Sequence, residues 1–88
     1  MVINLRKLLR LPVYTESGTK LGKIYDCEID AETHAILRYI IKANFLSAAN
    51  FLVQTSQVVA ITTDRVVVED MIIKSGAQAM FGGAALEE

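Results

Sequence analysis

The chain has 88 residues, 52% of them hydrophobic, and its nine basic and ten acidic side chains leave a net charge of −1. That balance excludes a general polyanion binder, which needs a clear basic excess. One cysteine excludes an internal disulfide, and there is no Cys/His cluster to hold a structural metal.

Residues 4–10 predict one helical turn, with Asn4 as N-cap and Leu5, Leu8 and Leu9 on one side. Pro12 stops it, because the residue before proline is pushed towards extended geometry. Val13 and Tyr14 then open a first strand. Glu16-Ser17-Gly18-Thr19 reads as a tight turn in which Gly18 takes positive φ. A second strand follows from Lys20 to Asp30. Leu21 and Ile24 lie three apart around Gly22, which predicts a bulge or sharp bend there.

Asp30 to His34 is a polar connection, and AILRYIIKA after it is the third strand. A hairpin of strands two and three brings Glu28 towards Arg38, an opposite-charge pair that helps set register. One face of strand three carries Leu37, Tyr39 and Ile41. The other carries Ile36 and Ile40 with Arg38 and Lys42. ANFLSAAN (43–50) is a loop or helical turn, and FLVQ is a short fourth strand. QVVAIT, Thr63-Asp64 and RVVVED form a second hairpin, although Thr-Asp is a poor two-residue turn.

Five or six short strands with tight turns and little helix predict an all-β fold, a small antiparallel barrel over residues 1–70. Residues 71–88 read as a Gly/Ala-rich tail that is flexible or loosely docked, through Met71, Ile72 and Ile73. No apolar run approaches the ~20 residues of a membrane-spanning helix. Arg6, Lys7 and Arg10 interrupt the N-terminal apolar stretch, so no signal peptide is expected and the cytoplasm is the expected location.

LPVYTESGTKLGKIYDCEID, AILRYIIK and QVVAITTDRVVVED together resemble the PRC-barrel family, over about residues 5–70. The resemblance rests on an apolar-Val strand, a turn ending in Gly18, Gly22 four residues later, Asp26 beyond it and a valine-rich closing strand. It implies a small β-barrel that acts in protein assembly. Such domains form the cytoplasmic part of the photosynthetic reaction-centre H subunit and part of a factor that matures the small ribosomal subunit. Stand-alone versions also exist, some tied to archaeal cell division. Neither the H subunit's anchor nor the maturation factor's second domain is evident, so a free-standing adaptor is the better match.

No side chain stands out as reactive. His34 is a solvated turn histidine, and Cys27 lacks a CxxC partner or a neighbouring cation to activate it. Asp26, Glu28, Asp30 and Glu32 alternate along one strand, a ladder that does not converge on a metal ion. They read as a solvated face paired with Arg38 and Lys42. Gly18 and Gly22 supply turn and bend geometry, and the tail glycines fit no phosphate loop. Arg6, Lys7 and Arg10 are too few for strong polyanion attraction, so nucleic acid is not the expected ligand.

A chain this short buries only about 60–65% of its unfolded surface, yet its mean hydropathy is +0.36. Some apolar side chains must therefore meet another molecule. Ile36, Ile40, Phe45, Leu46, Met80 and Phe81 are the interface candidates, with packing under the loop and tail as the alternative. The expectation is a non-enzymatic adaptor without cofactor or metal. It forms a homo-oligomer, a dimer, and docks on a protein partner. A ribosome- or RNA-associated maturation factor is the alternative.

Overall fold

A computed structural model describes residues 1–43, 50–72 and 74–75 of the chain. The short helix α1 (Leu5–Leu8) is capped by Asn4, whose Oδ1 accepts the Lys7 N–H at 2.9 Å. It buries Leu8 and half-buries Leu9, while Leu5 stays exposed, so the leucine stripe is narrower than its spacing predicts.

The strands are β1 (Pro12–Thr15), β2 (Lys20–Ile29), β3 (Ile36–Lys42), β4 (Asn50–Gln54), β5 (Val58–Ile61), β6 (Val66–Val68) and the two-residue β7 (Lys74–Ser75). They form one sheet in the order β5-β6-β1-β2-β3-β4-β7. The all-β architecture is as expected, but the sheet is mixed and its order is open. It runs from β5 at one edge to β7 at the other among the described residues. The correction to the purely antiparallel expectation lies at β1 and β6, which run parallel with Val13 opposite Val66 and Thr15 opposite Val68. Parallel neighbours need a long crossover, and here everything from β2 to β5 supplies it. Six strands plus the short β7 replace the expected five to six. The expected loop at 43–50 lies mostly outside the described residues, as does the tail beyond Ser75.

The core is built from alternate positions of these strands. Val13, Ile24, Ile41, Val53, Val66 and Val68 are essentially fully buried, with Leu8, Leu11 and Tyr39 around them. Ile72 packs against this cluster and Met71 does not. Thr15 is the buried polar residue among those described, and its Oγ1 accepts the Thr19 N–H at 3.0 Å. That bond closes the Thr15–Thr19 turn, where Gly18 takes φ +98 as expected. Ser17 then ties this turn to the far end of β6. Its N–H and hydroxyl both donate to Asp70 Oδ1, at 3.0 and 2.9 Å.

Gly22 is the tightest point in the sheet. Its φ is +147, and a Cβ there would lie 2.1 Å from the Lys42 carbonyl oxygen and 2.9 Å from the Ala43 Cα. The register between β1 and β2 slips beside it, leaving Leu21 as the extra residue of the expected bulge. Leu21 is half-buried and packs on the core, while Ile24 is fully inside.

The polar turn after β2 is held by Asp30, whose Oδ1 accepts the backbone N–H groups of Glu32 and Thr33 at 2.8 and 3.2 Å. His34 closes it in a left-handed conformation, φ 68. In the second hairpin Ile61 opposes Val66 and the Thr62 N–H donates to the Arg65 carbonyl at 2.9 Å, which leaves Thr63-Asp64 at the turn. Thr62 compensates for the poor turn pair, because its Oγ1 accepts the N–H groups of both Asp64 and Arg65 at 3.1 Å.

Two outcomes follow for stability. Gly22→Ala collides with immovable backbone and is expected to lower unfolding free energy by about 2–4 kcal/mol. Gly18→Ala meets nothing within 4 Å and is expected to cost only about 1 kcal/mol of backbone strain. Urea denaturation of both variants measures the difference. The carboxyls of Asp70 and Asp30 are both held below the usual aspartate range, in each case first by backbone N–H donors, those of Ser17 and of Glu32 and Thr33. A lowered native value means the stabilisation is complete above the unfolded value of about 3.9 and is lost as pH falls through the native one. Melting temperature should therefore drop below about pH 4, and Asp70→Asn should flatten that drop.

Candidate functional site

Strand alternation gives β2, β3 and β4 an inner and an outer face. On β3, Tyr39 and Ile41 point into the core, so Arg38, Ile40 and Lys42 point out. On β4, Val53 is fully buried and Leu52 is 41% exposed. Ile40 and Leu52 stand directly opposite each other in the register. Such cross-strand partners lie about 4.5–5.5 Å apart at Cβ. They form an apolar pair on the outer face of strands that have neighbours on both sides.

Register shifts expose further apolar side chains elsewhere in the sheet. Between β2 and β3 the pairing passes from Ile24–Ile41 to Asp26–Ile40, so Tyr25 is an extra residue, and it is 55% exposed. A second shift leaves Leu37 extra on β3, and a third leaves Val59 extra on β5. Leu37 and Val59 are exposed as well. A bulge re-aims its added side chain, and in this sheet three large apolar side chains turn outward that way. The Lys42 ammonium lies over the Tyr25 ring, 3.9 Å from its centroid.

Charge is graded along the same face. Lys23 and Lys42 are directly opposed at one end of the β2–β3 hairpin. At the other end Glu28 opposes Arg38, and the two form the expected ion pair. Both partners are exposed, so the pair contributes about 0.2–1 kcal/mol.

Of the interface candidates, Ile40 lies on this outer face. Ile36 is half-buried and packs against the core. Phe45, Leu46, Met80 and Phe81 lie outside the described residues. Arg6, Lys7 and Arg10 are exposed on and just beyond α1. Among the described residues no group of three or more His, Cys, Asp or Glu side chains is arranged to hold a metal ion. No helix there is long and apolar enough to cross a membrane.

Cys27 is half-buried against the core, and its thiol is pushed up first by burial and then by the Asp26 charge. Tyr39 is likewise raised, first by burial and then by the Cys27 charge. These shifts make Cys27 a poorer nucleophile, which matches its reading as a packing residue. Sequence reasoning missed Tyr25 and Leu52. Alternation within FLVQ carried the signal for Leu52, whereas nothing local marks Tyr25 as the extra residue of a bulge.

A family model described as PRC-barrel domain matches residues 1–72. No curated protein matches the chain.

At mildly alkaline pH the folded chain should react with iodoacetamide at Cys27 several-fold more slowly than the urea-unfolded chain, because less thiolate is present. Equal rates in the two states would show that packing does not restrain this thiol.

Proposed function

The chain belongs to the PRC-barrel family over residues 1–72, and we propose that it works as a non-enzymatic adaptor in the cytoplasm. In this reading it self-associates as a dimer and docks on a protein partner. The observation that carries the reading is the apolar pair on the outer face, Ile40 opposite Leu52, with Tyr25 exposed on the adjoining strand. Exposed apolar groups scattered singly need no explanation, but a contiguous set on a sheet face points to association. Because β2, β3 and β4 all have neighbours within the sheet, a partner lies against their side chains and does not add a strand.

The ribosome-associated alternative draws on the family and on one local feature. Arg10 shares a pocket with Lys23 and Lys42, and Arg6 and Lys7 are exposed on the helix just before it. Strongly salt-dependent binding to ribosomal particles would favour that alternative, and no binding at low salt would remove it. A cell-division role has the family resemblance alone behind it.

Light scattering across a concentration series tests the first reading. The native chain should reach twice the monomer mass, and Leu52→Lys should weaken the dimer by roughly tenfold or more without lowering the melting temperature measured at concentrations where both chains are monomeric. A native chain that stays monomeric at the highest concentration overturns self-association.

A further inference from the structure

A pocket of about 420 Å³ opens where the end of α1 meets the base of the β2–β3 hairpin. Its apolar lining includes Leu9 and Tyr25, beside the core residue Ile24, and its charged lining is Arg10, Lys23 and Lys42. No acidic side chain is among the described lining residues. The volume falls within the range of about 300–1,000 Å³ that accommodates small ligands and single anchoring groups.

The register makes this arrangement costly for the chain alone. Lys23 and Lys42 face each other across an antiparallel pair, and like charges in that position destabilise the sheet. Among the described residues the one ion pair is Arg38–Glu28, at the opposite end of the hairpin. The Lys42 ammonium instead rests on Tyr25, a weaker partner than a carboxylate. A sheet that opposes two lysines beside a third cation and an apolar lining is arranged to receive an anion with an apolar body.

We infer that this pocket is the site at which the adaptor takes its protein partner, through a short acidic segment carrying one large apolar side chain. The inference rests on the adaptor reading given above and adds the chemistry of the partner. Carboxylates of the segment meet Lys23, Lys42 and Arg10, while its apolar side chain lies against Leu9 and the Tyr25 ring. The site is concave and holds three cations, which suits one anchored segment better than the long phosphate track of a nucleic acid. A bilayer surface is bound by a long amphipathic helix, and α1 is only four residues long.

The test uses the full chain, labelled with nitrogen-15 and titrated with acetyl-Glu-Glu-Leu-Glu-Glu-amide. The amide resonances of Arg10, Lys23, Tyr25 and Lys42 should shift together and saturate. Replacing the peptide's leucine with glycine should weaken binding by roughly fivefold or more. Lys23→Glu should weaken it by roughly tenfold or more, yet raise the melting temperature, because it turns a like-charge pair into an opposite one. Loss of binding with gain of stability separates a ligand site from a merely structural one, and Lys23→Gln should lie between. The proposal is overturned if the pocket resonances do not move at millimolar peptide or if the glycine peptide binds equally well. Tighter binding of a single-stranded RNA pentamer or of phosphatidylserine vesicles would overturn it too. A dimer by light scattering without peptide binding removes this site and leaves the adaptor reading. Peptide binding by a strictly monomeric chain removes self-association alone.

Discussion

The close approach of Gly22 to the Lys42–Ala43 backbone is the constraint on which the middle of the sheet depends. Strand β2 pairs with β1 on one side and β3 on the other, so its path fixes theirs. With no Cβ at residue 22, the backbone of β2 can lie against the Lys42 carbonyl, where any side chain would need space already filled. The slip beside it brings Ile24 wholly inside and leaves Lys23 outside, opposite Lys42. The buried isoleucine and the opposed lysines are thus two results of one backbone event.

The small core limits everything else. Among the described residues nine apolar side chains are buried, while Leu5, Tyr25, Ile29, Leu37, Leu52 and Val59 each keep between 40% and 58% of their surface exposed. Bulges account for three of these six, and they also give the sheet its local bends. Curving a short sheet around so few residues displaces some side chains from the interior, and in this chain the displaced ones are large and apolar. Polar groups are handled more strictly, as Thr15 shows, with its buried hydroxyl bonded to the turn that it closes.

Local signals were readable where the cause is local. Asn4, Pro12 and Gly18 act within a few residues of themselves, and Gly22 combines a special φ with a gap in the apolar pattern. The Glu28–Arg38 pair was legible because a short hairpin leaves few registers open. The parallel pairing of β1 with β6 was not legible, since alternation reports which face a side chain takes and says nothing about the neighbouring strand. Bulges hid the rest. A single extra residue reverses the faces beyond it, so Ile36 turns towards the core and Leu37 away from it. The outer-face site was half visible. Ile40 follows from alternation, but its pairing with Leu52 and the facing of Lys23 by Lys42 exist only once register is set.

The bond from Ser17 to Asp70 spans 53 residues, and the β1–β6 pairing joins equally distant parts of the chain. During synthesis, at about 5–20 residues per second, the first strand emerges some three to ten seconds before its parallel neighbour does. For that interval one side of β1 presents bare amides and carbonyls to the surroundings. Such a strand is a template for any passing chain, so nascent copies on one polysome face their greatest hazard of mispairing in that interval.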